Sequence, residues 1–360
     1  MYETTGSTEA VLPELSIIIP VHNGASTLRA CLKSILSAPG PTREVIVVDD
    51  GSRDGSAEIA ASLGIPTIQH QNNLGPSAAR NTGARQTTAP ILVFVDADVV
   101  IHPGALQRIS NFMSENRQYS AVFGSYDAEP GHPGFVSQYR NLLHHFTHQR
   151  GNREAETFWA GLGAVRRTAF QSVGEFRSEL STMEDIALGL DLSDAGFRLR
   201  LDRELLCTHL KPWTLRTMVT NDVFHRALPW SRVILSRGRF TNDLNTSTIN
   251  RLGVLFANIT FVCAITAMFF PPGVALLGVT CSATLLANTH IFRCFWRERG
   301  GVFTLAVVPL HFVHQLCSGV GFAMALTQYF LVGHALAGNG PYTARRTTSL
   351  KQSGSPKAVL

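Results

Sequence analysis

From residue 15 to residue 95 the chain alternates unbroken apolar runs with stretches whose apolar residues recur every three or four positions. The runs Ser16–Pro20 (SIIIP), Glu44–Val48 (EVIVV), Pro66–His70 and Ile91–Val95 (ILVFV) predict strands. Because they are continuous and β-branched, not alternating, they predict strands covered on both faces. The periodic stretches between them predict helices over Ala25–Leu36, with Leu28, Cys31, Leu32 and Ile35 on one face, over Ala57–Leu63 and over Ser77–Gln86. Buried strands separated by helices predict an α/β fold built on a doubly wound, mostly parallel sheet.

Beyond residue 100 the pattern loosens. It predicts helices near Pro103–Asn116, Phe135–His148 and Met183–Ala195, a strand near Ala121–Gly124, and a Gly/Trp loop at Trp159–Gly163. Residues 212–250 mix Trp213, Met218, Phe224, Trp230 and Ile234 with basic side chains. Such a stretch suits a membrane surface or an apolar stripe packed on the preceding domain. The chain then turns apolar in three segments, 252–270, 273–292 and 303–332, the first two separated by Pro271-Pro272. This gives a loose N-terminus (1–14), an α/β domain (15–211), an amphipathic interface region (212–251), a transmembrane region of about three helices (252–335) and a polar basic tail (336–360).

Composition reinforces the division. Charged residues make up only 16% of the chain, against roughly 25% in a typical soluble protein. Leu252–Phe292 and Gly301–Ala344 contain no Asp, Glu, Lys or Arg at all, and about 20 apolar residues suffice to cross a bilayer. Arg237, Arg239 and Arg251 precede the first segment, and Arg293, Arg297 and Arg299 follow the second. Both flanks read as cytoplasmic, and basic residues placed there point to lipid head groups, not nucleic acid. Arg345, Arg346, Lys351 and Lys357 favour the same side, which an odd number of spans does not satisfy. Met1–Glu14 lacks the basic and apolar parts of a signal peptide, so the α/β domain is expected in the cytoplasm. The six cysteines are scattered, with no CxxC pair, and predict neither a disulfide framework nor a zinc site.

The chemistry-bearing residues gather at predicted strand ends, where open α/β sheets bind ligands. Asp49-Asp50-Gly51-Ser52 leaves the second strand. Its carboxylates can accept from a base or a ribose, or can simply shape a turn. Asp96-Ala97-Asp98 leaves the fourth strand, and two acids so spaced can hold a hard divalent cation. In Gly75-Pro76-Ser77-Ala78-Ala79-Arg80-Asn81-Thr82-Gly83 a turn feeds a small-residue helix whose N-terminus and Arg80 favour anions. Trp159-Ala160-Gly161-Leu162-Gly163 offers a sugar-stacking ring and close backbone approach. Glu184-Asp185 offers a general base, although Ser181 with Glu184 also fits a capping box. The histidines His144, His145 and His148 lack a completing acid or cysteine pattern, and His311 and His314 lie in the last apolar segment without an assigned role.

In this order and spacing, the motifs from Pro20-Val21-His22-Asn23 to Glu184-Asp185 resemble inverting glycosyltransferase family 2, with its GT-A fold, over about residues 15–210. The resemblance implies a nucleotide-diphospho-sugar donor, UDP-linked in the commoner case, and one sugar transferred with inversion. It implies that Asp50 contacts the nucleobase with Asp49 beside it, that Pro20 and Asn23 line the nucleoside pocket, and that Arg80 lies near the nucleotide. It further implies that Asp98, helped by Asp96, binds Mg²⁺ or Mn²⁺ on the diphosphate, with His209 as a further candidate ligand. Asp185, with Glu184 beside it, would carry the base, and Trp159 and Gly161 would contact substrate. His22 departs from the family, whose members usually carry an aromatic there. The Gln-x-x-Arg-Trp signature of processive relatives is absent, which argues against polymer synthesis.

Membrane anchorage implies a lipid or lipid-linked acceptor at the cytoplasmic face of the inner (plasma) membrane, held by a multi-pass chain among membrane lipids; nothing in the sequence sets an oligomeric state. Two alternatives stay open: a catalytically inactive nucleotide-sugar-binding membrane protein, and a polyprenyl-phosphate glycosyltransferase whose anionic acceptor needs no base. A sugar-phosphate nucleotidyltransferase would need a Gly-rich, Arg/Lys-bearing loop after the first strand, where this chain has His22-Asn23-Gly24.

Overall fold

A computed structural model describes residues 14–238, 244–271 and 273–332. The strands are β1 (Leu15–Val21), β2 (Arg43–Asp49), β3 (Thr67–Gln69), β4 (Ile91–Val95), β5 (Val99–Ile101), β6 (Tyr119–Tyr126), β7 (Glu154–Ala155), β8 (Leu162–Arg166) and β9 (Arg198–His209). Around them lie α1 (Ala25–Ser37), α2 (Ser56–Ser62), α3 (Pro76–Arg85), α4 (Ala105–Glu115), α5 (Phe135–Arg150), α6 (Arg167–Ser172) and α7 (Glu184–Asp194). Then follow α8 (Leu215–Thr220), a π-helical stretch (Asn221–Ala227), α9 (Leu228–Arg237), α10 (Thr248–Ala267), α11 (Gly273–Ala287) and α12 (Thr289–Val332).

The strands form one mixed sheet in the order β3-β2-β1-β4-β8-β6-β9-β5, with β7 on the side of β9. The first four are parallel, with Ile18 of β1 opposite both Ile46 and Phe94. Neighbouring residues of β1 face opposite ways. Ile17 and Ile19 meet Leu28, Leu32, Leu106 and Ile109 from α1 and α4 on one face. Ile18 joins Ala84, Phe170, Leu188 and Leu192 on the other. Two buried faces explain the continuous apolar runs, and each fully buried Leu, Ile or Phe contributes about 1.5–3 kcal/mol. Gly83 lets α3 lie close: a Cβ there would come within 2.5 Å of Ile18.

The sheet's second half departs from the mostly parallel expectation. β8 is antiparallel to both β4 and β6, and β5 is antiparallel to β9. β9 spans 12 residues (RLRLDRELLCTH) in which charged and apolar side chains interleave, so no apolar run marks it.

A third core joins this domain to the C-terminal helices: Tyr139, Leu142 and Phe146 of α5 pack with Met218, Ile291, Phe295, Val307 and Leu310. The expected boundary near residue 251 is therefore crossed by shared packing. In the 212–250 stretch Met218, Val223 and Leu228 are buried, as a packed stripe requires, whereas Leu215 and Phe224 are exposed.

α12 breaks at Gly300 (φ 77°, ψ −179°). Asn288 hydrogen-bonds Gln315 at 2.6 Å, and Phe292 meets His311 at 5.7 Å, so the segments before and after Gly300 run antiparallel. The apolar segments thus stack as α10, then α11 continued to Arg299, then the remainder of α12. Thr248–Ala267 and, despite its break at Gly300, Thr289–Leu331 each contain a stretch long and apolar enough to cross a membrane; Gly273–Ala287 is shorter. Met268, Phe269, Leu286, Val302, Leu305 and Phe330 are more than half exposed, a density of apolar surface that supports membrane association. The 336–360 tail, the 333–335 end of the apolar region, Arg239 and residues 1–13 lie outside the described residues.

Candidate active site

The expected donor-side residues converge at the C-terminal ends of β1, β2 and β4, but several are already engaged. Asp50 is 3% exposed. Its carboxylate accepts from the backbone N–H of Leu74 (2.9 Å) and Gly75 (2.7 Å) and lies 2.7 Å from Nδ1 of His70. A carboxylate has roughly four lone-pair sites, so Asp50 spends most of its capacity fixing the loop that leads into α3. Asp49 accepts from the N–H of Ser52 and shapes the turn. Asn23, at φ 51°, accepts from the N–H of Arg53 and ties the β1 loop to the β2 loop, while Pro20 is partly exposed at the strand end beside them.

Arg80 is buried and forks between two acids, Nη1 to Glu184 and Nη2 to Asp96, both at 2.7 Å. Its plane lies over Phe176, 5.4 Å from the ring centroid. Asp96 and Glu184 are thus held by one cation. Burial raises the Asp96 carboxyl in spite of Arg80, with Asp98 adding to the effect. The capping box suggested for Ser181 and Glu184 does not form. The N-cap of α7 is Met183, in the left-handed region at φ 63°, without a side-chain cap. A bulky residue held there beside two acids stores strain of the kind found at functional sites.

That distribution leaves two carboxylates with capacity. Asp98 lies 3.4 Å from Nε2 of His209, whose ring stacks on Tyr126 at 4.3 Å. Burial pushes Asp98 upward, but the hydrogen bond and charge of His209 prevail and hold it below its ordinary value. The described residues contain no cluster of three His, Cys, Asp or Glu that could hold a metal. Asp98 and His209 do converge as a pair, and a divalent cation bound through one or two protein groups takes its remaining ligands from phosphates and water. The pair fits that role, whereas Asp96 is drawn toward Arg80.

Asp185 sits in the first turn of α7, accepting from its own neighbour Ile186 N (2.7 Å) and from Ala160 N (3.3 Å). Burial, and next the charge of Glu184, push it up to about 7. A carboxylate poised near neutral pH suits proton transfer. The loop above it is set by Gly161, where a Cβ would meet the Trp159 indole at 2.3 Å. Trp159 is edge-on to Tyr126 at 4.9 Å and near His144 at 5.0 Å.

Asp185, Trp159, Tyr126, His209 and His148 line one cavity of about 220 Å³. The histidine-rich patch serves packing: His145 and His148 hydrogen-bond the carbonyls of Tyr126 and Gly124, which docks α5 on β6. Arg140 and Arg226 line the same cavity. Neither stood out in the sequence, because each is one basic residue in a basic stretch.

Carboxylates around a buried arginine at one sheet edge, with a poised acid under an aromatic loop, define a group-transfer site at the end of an α/β sheet. The family model described as Glycosyl transferase family 2 matches residues 16–174. The chain is similar to the glycosyltransferase AglE of Haloferax volcanii, 28% identical over 56% of this chain and 68% of that protein. It is also similar to the pre-mycofactocin glycosyltransferase of Mycobacterium tuberculosis, 30% identical over 59% of this chain and 46% of that protein, so it spans under half that relative's length. Among solved structures, a mannosyltransferase from Pyrobaculum calidifontis in complex with GDP-Man and Mn²⁺ aligns over 89% of this chain and 88% of that one at 17% identity. Its TM-score is 0.48. The chain thus carries a domain similar to family 2 glycosyltransferases over residues 16–174, and the relatives it resembles are glycosyltransferases.

Proposed function

We propose that the protein transfers a single sugar from a nucleotide-diphospho-sugar, UDP-linked by preference, to a hydroxyl of a lipid or lipid-linked acceptor at the cytoplasmic face of the inner membrane, with inversion. The observation that carries this reading is Asp185: a half-buried carboxylate pushed up to about 7, lining a cavity together with His209. In the reaction, Asp185 takes the proton of the acceptor hydroxyl. The oxygen bonds to the anomeric carbon on the face opposite the diphosphate, and the nucleoside diphosphate leaves with the bonding pair. One displacement inverts that carbon. Arg80 holds Glu184 and Asp96 in place, and the charge of Glu184 raises Asp185.

Asp98 and His209 would hold Mg²⁺ or Mn²⁺, with Asp96 at the margin of the site, and the ion would offset charge on the departing diphosphate. Pro20, Asn23, Asp49 and Asp50 form the nucleoside side of the site, and Trp159 and Gly161 the sugar side. The apolar helices hold the domain on the membrane as a multi-pass anchor.

The reading is tested by a nucleotide-sugar screen on the full chain in detergent with a membrane-lipid extract, with and without Mn²⁺, scoring sugar in the lipid phase and nucleotide released. It expects both products to need the cation. No turnover of any nucleotide sugar under these conditions overturns it.

A further inference from the structure

A second, larger cavity of about 600 Å³ lies between the interface helices and the apolar bundle. Ile234 of α9, Val254 and Leu255 of α10, and Phe322 of α12 give it apolar walls. Leu143, Thr147, Arg226 and Trp230 line both this cavity and the smaller one that holds Asp185, so the two meet at a neck.

The neck is polar in an uneven way. Asp222, 1% exposed, is paired with Arg140 at 2.9 Å and with His314 at 2.7 Å. Its charge is therefore taken up on two sides. Arg226 reaches it only at 3.7 Å and, among the described residues, makes no hydrogen bond; its side chain keeps 28% of its surface, facing the cavities it lines. Burial, then Arg140, lower Arg226 to about 10, which still leaves it cationic at neutral pH. The guanidinium sits on a π-helical segment, Asn221–Ala227, a local distortion frequent at functional sites. A half-buried cation with no hydrogen bond among the described residues and only a long 3.7 Å contact to an already paired Asp222, between an apolar chamber and a catalytic carboxylate, calls for an anion joined to an apolar chain.

We infer that the acceptor is a lipid phosphate whose chain occupies the larger cavity, whose phosphate pairs with Arg226 in the neck, and whose head-group hydroxyl reaches Asp185 in the smaller cavity. This rests on the glycosyl-transfer reading above and adds the acceptor's chemical class and a specificity-determining residue. The proton and electron balance is unchanged: the hydroxyl gives its proton to Asp185, its oxygen takes the sugar, and the acceptor phosphate stays intact on Arg226.

The test uses the full chain in phosphatidylcholine nanodiscs and radiolabelled hexadecyl phosphate, with hexadecanol and inorganic phosphate as competitors and empty nanodiscs as background. Saturable binding is expected, with each competitor at least about tenfold weaker, since either lacks the chain or the charge. Arg226→Gln should weaken hexadecyl phosphate about tenfold or more, and Arg226→Lys, which keeps the charge, should recover most of it. Ser318→Trp, which fills the larger cavity, should remove the binding of phosphate and alcohol alike. Inorganic phosphate competing as well as the lipid would show a free-phosphate site and overturn the inference. So would unchanged affinity in Arg226→Gln, or equal losses in the Gln and Lys variants. Nucleotide titration of the same samples separates the two readings: intact nucleotide binding with no lipid-phosphate binding overturns this inference and leaves the glycosyl-transfer reading standing.

Discussion

Two arginines, one buried and one half-buried, set the two sides of this molecule apart. Arg80 lies at the C-terminal edge of the sheet and is engaged by Glu184 and Asp96, each at 2.7 Å. Arg226 faces the membrane helices with one carboxylate 3.7 Å away. Both are guanidiniums taken out of bulk water, yet the first is a tie between elements and the second is a cation without a close partner. A buried group satisfied by its own chain is scaffold, whereas one left unsatisfied marks where a ligand completes the structure. The same contrast separates Asp50, fixed by two N–H groups and His70, from Asp98 and Asp185, which keep free acceptor capacity.

The contrast is broken most directly at Asp98. Asp98→Ala is expected to abolish detectable transfer while the melting temperature stays close to that of the parent, because its carboxylate braces little beyond His209. Full activity in that variant, or in metal-depleted buffer, would remove Asp98 from the site.

Asp185→Asn keeps size and shape, so a large loss in it is chemical. Turnover should fall about 10³-fold with near-normal nucleotide-sugar binding. A loss below about tenfold would mean that the base lies elsewhere or that the nucleophile is already ionised. Glu184→Gln decides between these, provided its stability is checked, since it also leaves Arg80 half-paired.

The scaffold side is probed by Arg80→Met. It strands the buried Glu184 and leaves the partly exposed Asp96 unpaired, and should cost about 3 kcal/mol, read as a fall in the denaturant midpoint. A cost under about 1 kcal/mol would place Arg80 among exposed, weakly coupled pairs.

The pH profile follows from Asp185. The base works only when deprotonated, so kcat should fall as pH drops through about 7, the value to which burial and Glu184 push it. Asp185→Asn should flatten that limb. A limb persisting near 7 in the variant would assign it to another group.

The smallest effect concerns the seam between domain and helices. Tyr139 bonds Nδ1 of His311 at 2.9 Å, and Tyr139→Phe should cost about 1 kcal/mol in detergent unfolding, the usual worth of one such bond. Loss of the fold in Tyr139→Phe would show that this seam, not the sheet, carries the stability.

Much of this was legible in the chain itself. The strands β1, β2 and β4 and the helices α1, α3, α4 and α7 follow from local periodicity, which depends only on near neighbours, and they fall within a few residues of the expected bounds. The apolar segments follow from composition alone, since about 40 residues without a charge describe a different solvent. The order of the acidic motifs likewise placed Asp98 and Asp185 among the candidates. What only tertiary structure decided depends on distant parts of the chain meeting. Arg80 and Glu184 are 104 positions apart, and no spacing rule announces that this arginine pairs with Glu184 and Asp96. β8 and β9 escaped because no local pattern marks them: β8 is a short Gly-containing strand set antiparallel between β4 and β6, and β9 interleaves charged and apolar residues between a parallel β6 and an antiparallel β5. The hairpin at Gly300, and the cavity it helps enclose against α9 and α10, exist only because Asn288 closes on Gln315. Periodicity and composition are local quantities and can be read in sequence; pairing and enclosed space arise only when remote segments are brought together.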